Sequence, residues 1–120
     1  MTTKYIKAAV ISAVKPIIDS VYFERMSTAY PYVRLELKRM GGDVTSPYLL
    51  YADFYGKINE ADELEEIADE VFMALNRQIF SGADIVIQSH GERLTAADDT
   101  AADIKHITAS FSLRVYYTEV

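Results

Sequence analysis

The sequence predicts an α+β fold in which an antiparallel β-sheet carries two helices packed on one face. Three patterns in the 120 residues support this prediction. A long amphipathic helical pattern lies in the middle of the chain, alternating strand patterns lie on both sides of it, and a second helical pattern opens the chain. The predicted element order is α-β-β-β-α-β-β, within a single domain that spans residues 1–120.

The first forty residues predict a helix and two strands. Apolar side chains recur at three- and four-residue steps over 3–14, and Pro16 ends this helix because proline lacks an N–H. β-branched and aromatic residues predict a short strand at 20–23, and a polar connector leads from it to a clearly alternating strand at 30–40. The side chains of this strand that point inward are Val33, Leu35 and Leu37.

A strong turn signal follows this strand and indicates a long antiparallel hairpin. The turn is Gly41-Gly42-Asp43, and the second strand covers 48–58. Leu50, Ala52 and Phe54 point inward from the second strand, while Tyr51, Asp53 and Tyr55 point outward. The hairpin tip at 39–46 has few apolar anchors, so we expect it to be mobile in the free monomer and ordered by a partner.

The central helix is predicted over 59–80. Asn59 is a suitable N-cap, and the positive end of the helix dipole stabilises the many acidic residues of the first turns. Ser81 and Gly82 end the pattern. Its apolar stripe faces the sheet and consists of Leu64, Ile67, Ala68, Val71, Leu75 and Ile79.

The last part of the chain predicts a second hairpin. A strand begins within 83–94, a small, acidic and mobile loop covers 95–103, and the longest strand covers 104–120. The inward side chains of the last strand include Ile107, Phe111 and Leu113. The outward face of the whole sheet is rich in tyrosine, threonine and serine, so it can stay in water or pack against another copy.

Composition excludes several classes of function. The net charge of −6 argues against general nucleic-acid binding, and the absence of cysteine excludes disulfides and thiolate sites. Lys15 and Pro16 interrupt the first apolar stretch, so neither a signal peptide nor a membrane span is expected. Residues 1–40 hold seven basic and three acidic residues, while 41–120 hold five basic and fifteen acidic ones. Either these parts face each other within one domain, or copies associate head to tail.

The residues that carry chemistry do not form a catalytic motif. His90 and His106 lie on strands of one hairpin, where they and Glu92 could approach a zinc ion, although outward histidines are more often simply solvated. Asp98, Asp99 and Asp103 lack the pattern of a calcium-binding loop. We therefore predict no catalytic residue, no cofactor and no metal site.

The order of elements and several short segments resemble the tail terminator proteins of long-tailed bacteriophages, also called tail completion or tail-to-head joining proteins, or related minor capsid and connector proteins. The segments are Val21-Tyr22, the strand start Tyr30-Pro31-Tyr32-Val33, the acidic helix at 63–69 and the terminal strand at 111–117. The resemblance implies a non-enzymatic virion protein, assembled in the host cytoplasm. It implies a ring, typically a hexamer, that caps the tail tube and contacts the head–tail connector. A head-completion or neck protein and a small enzyme are the alternatives.

A ring requires a heterologous interface, in which one patch meets a different patch on the next copy. The predicted basic patch consists of Arg34, Lys38 and Arg39, with Tyr51 and Tyr55 adding apolar contact area. The predicted acidic patch consists of Glu63, Glu66 and Glu70 on the central helix. The predicted contacts with the tube and the connector are Gly41, Gly42, Asp43, Asp98 and Asp99. We expect the free protein to stay monomeric until the end of the tube templates the ring.

Overall fold

Two helices and a six-stranded sheet form the α+β fold that the sequence predicts. The computed structural model describes residues 2–27, 29–41, 47–82, 85–99 and 103–117. The helices are α1 (Thr2–Val14) and α2 (Ala61–Leu75), and a 3-10 turn (Ile58–Glu60) precedes α2. The strands are β1 (Val21–Phe23), β2 (Tyr32–Arg39), β3 (Tyr48–Lys57), β4 (Gln78–Ser81), β5 (Ile85–Asp99) and β6 (Ile104–Tyr117).

The sheet has the strand order β1-β2-β3-β6-β5-β4, with β3 and β6 at its centre. Neighbouring strands are antiparallel except for β1, which pairs with β2 in parallel, so the sheet is mixed. β6 pairs with β3 along ten residues and with β5 along nearly its whole length. One irregularity, between Gly91 and Arg93, interrupts the β5–β6 register. A bulge of this kind bends and twists a hairpin locally.

The hydrophobic core lies between the helices and one face of the sheet. The predicted inward residues Val33, Leu35, Leu50, Phe54, Leu64, Val71, Leu75, Ile107, Phe111 and Leu113 are all buried, and Leu37 and Ile67 pack against them while partly exposed. The inward assignment of these residues is therefore confirmed. No helix in the described part of the chain is long and apolar enough to cross a membrane.

The predicted end of the central helix is wrong, because α2 stops at Leu75 rather than at residue 80. Asn76 turns to an extended backbone, Arg77 has a positive φ of 58°, and the chain continues as β4 along β5. The Asn76 side chain accepts a hydrogen bond from the backbone N–H of Gly91 at 2.9 Å, which ties this turn to β5. Ile79 is consequently 59% exposed and does not belong to the buried stripe.

The predicted N-cap of this helix is also wrong. Asn59 lies inside the 3-10 turn, and the residue that precedes α2 is Glu60, whose side chain makes no capping hydrogen bond. Asp62 and Glu63 lie in the first turn of α2, where the helix dipole favours negative charge. The acidic side chains are therefore placed as predicted, where they interact favourably with the helix dipole. The predicted side-chain cap, in contrast, is absent from α2.

The predicted loop at 95–103 is wrong over its first half. β5 continues to Asp99 and is fifteen residues long, one more than the fourteen of β6. Asp98 and Asp99 are paired with Lys105 and Ile104, because the long partner strand supplies hydrogen bonds that the local composition does not suggest. Residues 42–46 and 100–102 lie outside the described residues, so the expected mobility of the two tips stays a prediction.

Phe111 gives a direct test of this core. Its side chain is 0% exposed and its ring lies 5.4 Å from that of Phe72 on α2. We expect Phe111→Ala or Leu113→Ala to lower the free energy of unfolding by about 2–5 kcal/mol, because each leaves a cavity. Met73→Ala, on the exposed side of α2, should change it by less than about 0.5 kcal/mol. Urea unfolding measures all three, and equal small losses would contradict the assigned register.

Candidate functional site

The face of the sheet opposite the helices carries a continuous set of polar and aromatic side chains, which we call the outer sheet face. Alternation along each strand brings these residues to one side, while their neighbours enter the core. The members from the three central strands are Arg34, Glu36, Lys38, Tyr51, Asp53, Tyr55, His106, Thr108, Ser110, Ser112 and Arg114. Most are only partly exposed, so they contact one another more than solvent.

Asp53 is the centre of a polar network on this face. It lies on β3 between its register partners Arg34 of β2 and Thr108 of β6. The Thr108 hydroxyl donates a hydrogen bond to Asp53 Oδ1 at 2.9 Å, and His106 Nε2 lies 3.0 Å from the same oxygen. Arg34 Nη1 is 4.0 Å from Asp53 Oδ2. The network thus joins three strands through a carboxylate whose side chain is only 17% exposed.

An aromatic row crosses the same face beside this network. His106 stacks on Tyr55 with ring centroids 4.5 Å apart, Tyr55 stacks on Tyr32 at 5.0 Å, and Tyr32 contacts Tyr30 at 5.6 Å. Tyr32 is 1% exposed, although it belongs to the outer side, because the segment before β2 covers it: its hydroxyl reaches Met26 Sδ at 3.8 Å. The row is therefore a small cluster of packed rings on the outer sheet face, separate from the hydrophobic core.

Burial changes the acidity of two of these tyrosines. Desolvation raises the pKa of Tyr32 above its ordinary value of 10.0. The pKa of Tyr55 is raised mainly by burial, with a further contribution from the negative charge of Asp53. Both side chains are consequently neutral hydrogen-bonding groups at physiological pH.

The network does not have the geometry of a catalytic triad. In such a triad one ring nitrogen of histidine faces the nucleophile and the other faces the carboxylate. Here His106 Nε2 faces both the carboxylate of Asp53, at 3.0 Å, and the hydroxyl of Thr108, at 3.2 Å. The Thr108 hydroxyl is itself directed to the carboxylate. This arrangement fixes side chains and strands, and it does not prepare a nucleophile.

The structure separates the two histidines that the sequence placed on one hairpin. His90 is paired with Ser112, six residues along β6 from His106. That separation is about 20 Å at the rise of an antiparallel strand. Within the described residues no three histidine, aspartate or glutamate side chains are grouped as metal ligands. The zinc arrangement considered from the sequence is therefore not formed by these two residues.

Arg34 and Lys38 of the predicted basic patch lie on the outer sheet face, but their charges are already paired, while Arg39 at the end of β2 alternates to the other side with Tyr48. Arg34 Nη1 is 3.5 Å from Glu36 Oε2, and Lys38 Nζ is 3.5 Å from Glu36 Oε1. Lys38 also lies over the ring of Tyr51 at 5.7 Å, and Arg39 lies over that of Tyr48 at 5.8 Å. The alternation of Arg34, Glu36 and Lys38 on one strand was the sequence signal for this local neutralisation.

The predicted acidic patch is fully presented to solvent. Glu63, Glu66 and Glu70 are all exposed on α2. Residues 60–75 contain seven acidic residues and no lysine or arginine. Across the described ranges, the one ion pair of these acidic residues is Glu65 with Lys105, at 3.4 Å. The exposed side of α2 is therefore a strongly negative surface.

The predicted partner-contact residues lie at two different places. Gly41 is exposed just after β2, and Gly42 and Asp43 lie outside the described residues. Asp98 and Asp99 belong to the end of β5, of which the structure describes the backbone. The register puts Gly41 and Asp99 at opposite ends of the sheet, because β3 begins beside Leu113 of β6, whereas β5 ends beside Ile104.

Sequence reasoning missed a groove on the outer sheet face at its β4 end. Side chains from the turn after α2, from β4, from β5 and from β6 surround a cavity of about 450 Å³. Its lining includes Arg77, Ile79, Gln88, His90, Glu92 and Arg114. The groove depends on β4, which the sequence pattern predicted as part of a helix. The pattern therefore did not indicate that Arg77 and Arg114 line the same groove.

Comparison with known proteins shows a shared fold. No family model and no curated protein matches the sequence. A chain from the virion of a native gene transfer agent (GTA) particle is similar in structure, with a TM-score of 0.67 and 18% sequence identity, over 90% of this chain and 92% of that chain. A second solved structure has a TM-score of 0.70 and 12% identity over 100% of this chain and 99% of that chain. Both similarities span essentially the whole fold.

The buried tyrosines predict a loss of stability at alkaline pH. Because their pKa values are raised in the folded state, their contribution is complete below pH 10.0, the ordinary value, and is lost as pH rises through the folded-state pKa. Each tyrosine contributes at most about 1.4 kcal/mol per pH unit in that range. Tyr55→Phe should make the free energy of unfolding less dependent on pH between 9 and 11. Identical slopes for the wild type and Tyr55→Phe in urea unfolding would contradict the raised pKa of Tyr55.

Proposed function

We propose that this chain is a structural assembly protein of a phage or phage-like particle. The observation that carries the proposal is the similarity to a chain of the gene transfer agent virion, which extends over 90% of one chain and 92% of the other. The resemblance of the sequence to tail terminators supports the finer role: the chain caps the tail tube as a ring and joins the tail to the head connector.

The polar groups of the outer sheet face are consistent with a structural rather than a catalytic role. Asp53, His106 and Thr108 satisfy one another, and Arg34 completes the network on the neighbouring strand. Satisfied networks of this kind rigidify a surface. A rigid, partly apolar face costs little ordering entropy when a partner binds, which suits repeated assembly of identical copies.

Ring formation is proposed to use the helix layer of one copy and the outer sheet face of the next. These surfaces lie on opposite sides of the sheet, so repeating the same contact generates a ring when the rotation closes. The acidic side of α2, with Glu63, Glu66 and Glu70, supplies one surface. The other includes Arg34, Lys38, Tyr51 and Tyr55, with Arg39 at the end of β2 beside it. Charges would mainly guide and orient the copies, and the tyrosines would supply contact area.

The two sheet ends suit a protein that joins two different partners. The β2–β3 connection follows Arg39 at one end, and the β5–β6 connection follows Asp99 at the other. Nine residues of β6 separate these ends, which is about 30 Å. We propose that one connection contacts the tail tube and the other contacts the head connector.

Deletion of the gene in cells that produce the particle tests this role. Without a cap, tail tubes should vary in length and remain detached, while heads stay filled, as electron microscopy of the lysate can show. Supplying the wild-type chain should restore joined particles of uniform length. Uniform tails beside emptied heads would instead favour a head-completion or neck protein. Unchanged particles would contradict both roles.

A further inference from the structure

The groove at the β4 end of the outer sheet face presents cations that the fold leaves available. Arg77 and Arg114 both line it, and no carboxylate of the described residues forms an ion pair with either. Glu92, the acidic residue of the groove, accepts a hydrogen bond from the Ser112 hydroxyl at 2.8 Å. A guanidinium group offers five N–H donors in a planar fork that matches a carboxylate. The groove is therefore suited to bind carboxylates from another molecule.

The Arg34–Lys38 patch is a weaker site for the same purpose. Glu36 lies 3.5 Å from both Arg34 and Lys38, and Asp53 lies 4.0 Å from Arg34. An incoming carboxylate would have to compete with these contacts, whereas at Arg77 and Arg114 it would not. Charge complementarity across the interface is therefore concentrated at the β4 end of the sheet.

We propose that this groove binds the acidic side of α2 from a second copy of the chain. The proposal rests on the proposed ring and identifies its partner surfaces. Glu66, Glu70 and Met73 are spaced by four and three residues, so they lie on one side of the helix. Their pattern of two carboxylates beside an apolar residue complements the two guanidinium groups and Ile79 of the groove.

Exposed apolar side chains support the same pairing independently of charge. Met73 is 74% exposed on α2, and Ile79 is 59% exposed in the groove. Neither is needed by the core of its own chain, and contact between them would remove both from water. The groove and the acidic side of α2 also lie on opposite sides of the sheet, as a heterologous contact requires.

A charge-exchange experiment tests the pairing. One variant reverses the groove (Arg77→Glu with Arg114→Glu), and a second reverses the helix (Glu66→Lys with Glu70→Lys). Native mass spectrometry and sedimentation velocity at low salt measure association. The free protein is expected to be monomeric when dilute, so association is measured at high protein concentration. There we expect the wild type to associate, each variant alone to associate at least tenfold more weakly, and their equimolar mixture to recover wild-type association with alternating copies. Recovery on mixing also shows that both variants are folded.

The matched control is Lys4→Glu with Lys15→Glu, which changes two exposed lysines outside both surfaces and shifts the net charge by the same amount as the groove variant. It should weaken association less than threefold. Normal association of the groove variant, beside dissociation when Arg34 and Lys38 are reversed to glutamate, would overturn the inference and leave the ring intact. Failure of the mixture to recover, or a wild type that stays monomeric at low salt and high concentration, would also overturn it. Failure of the proposed function itself would appear separately, as unchanged particles after gene deletion.

Discussion

The pairing of β6 with strands on both of its sides is the constraint on which the rest of this structure depends. Because its side chains alternate without interruption, a shift of one residue would move Ile107, Phe111 and Leu113 from the core to the outer face. The core therefore fixes the register of β3 and β5, and that register fixes every contact on the opposite face. Phe72 of α2 then packs on Phe111 and leaves room only for a glycine at position 91.

The same alternation gives the two faces of the sheet different roles. The inner face supplies stability through the buried side chains beneath α1 and α2. The outer face holds the Asp53 network and the aromatic row, in which polar groups pair across three strands. Paired groups are a poor source of new electrostatic contacts, since their partners must be displaced. Among the described residues, available charges include those on the acidic side of α2 and those in the groove near Arg114, and these two surfaces favour contact between copies.

Periodicity alone predicted most of the fold, because the core faces of β2, β3, α2 and β6 are read directly from their apolar spacing. It failed where tertiary contacts override local pattern. Ile79 continues the helical spacing of α2, yet the positive φ of Arg77 and the bond between Asn76 and Gly91 divert the chain into β4. Thr95 to Asp99 look like a loop until β6 supplies a partner strand. Arg34 lies on the outer sheet face and Glu66 on the exposed side of α2, as their spacing predicts, but neither the neutralisation by Glu36 nor the groove follows from single-strand patterns.

Cryo-electron microscopy of the neck of the intact particle tests the central claim most directly, because it shows both the position of the chain and its contacts. The account predicts a closed ring of copies between the tail tube and the head connector, with α2 of each copy against the outer sheet face of the next. The two sheet ends should point to the two different partners. Copies located elsewhere in the particle, or a ring in which the outer sheet face meets no neighbouring copy, would contradict it.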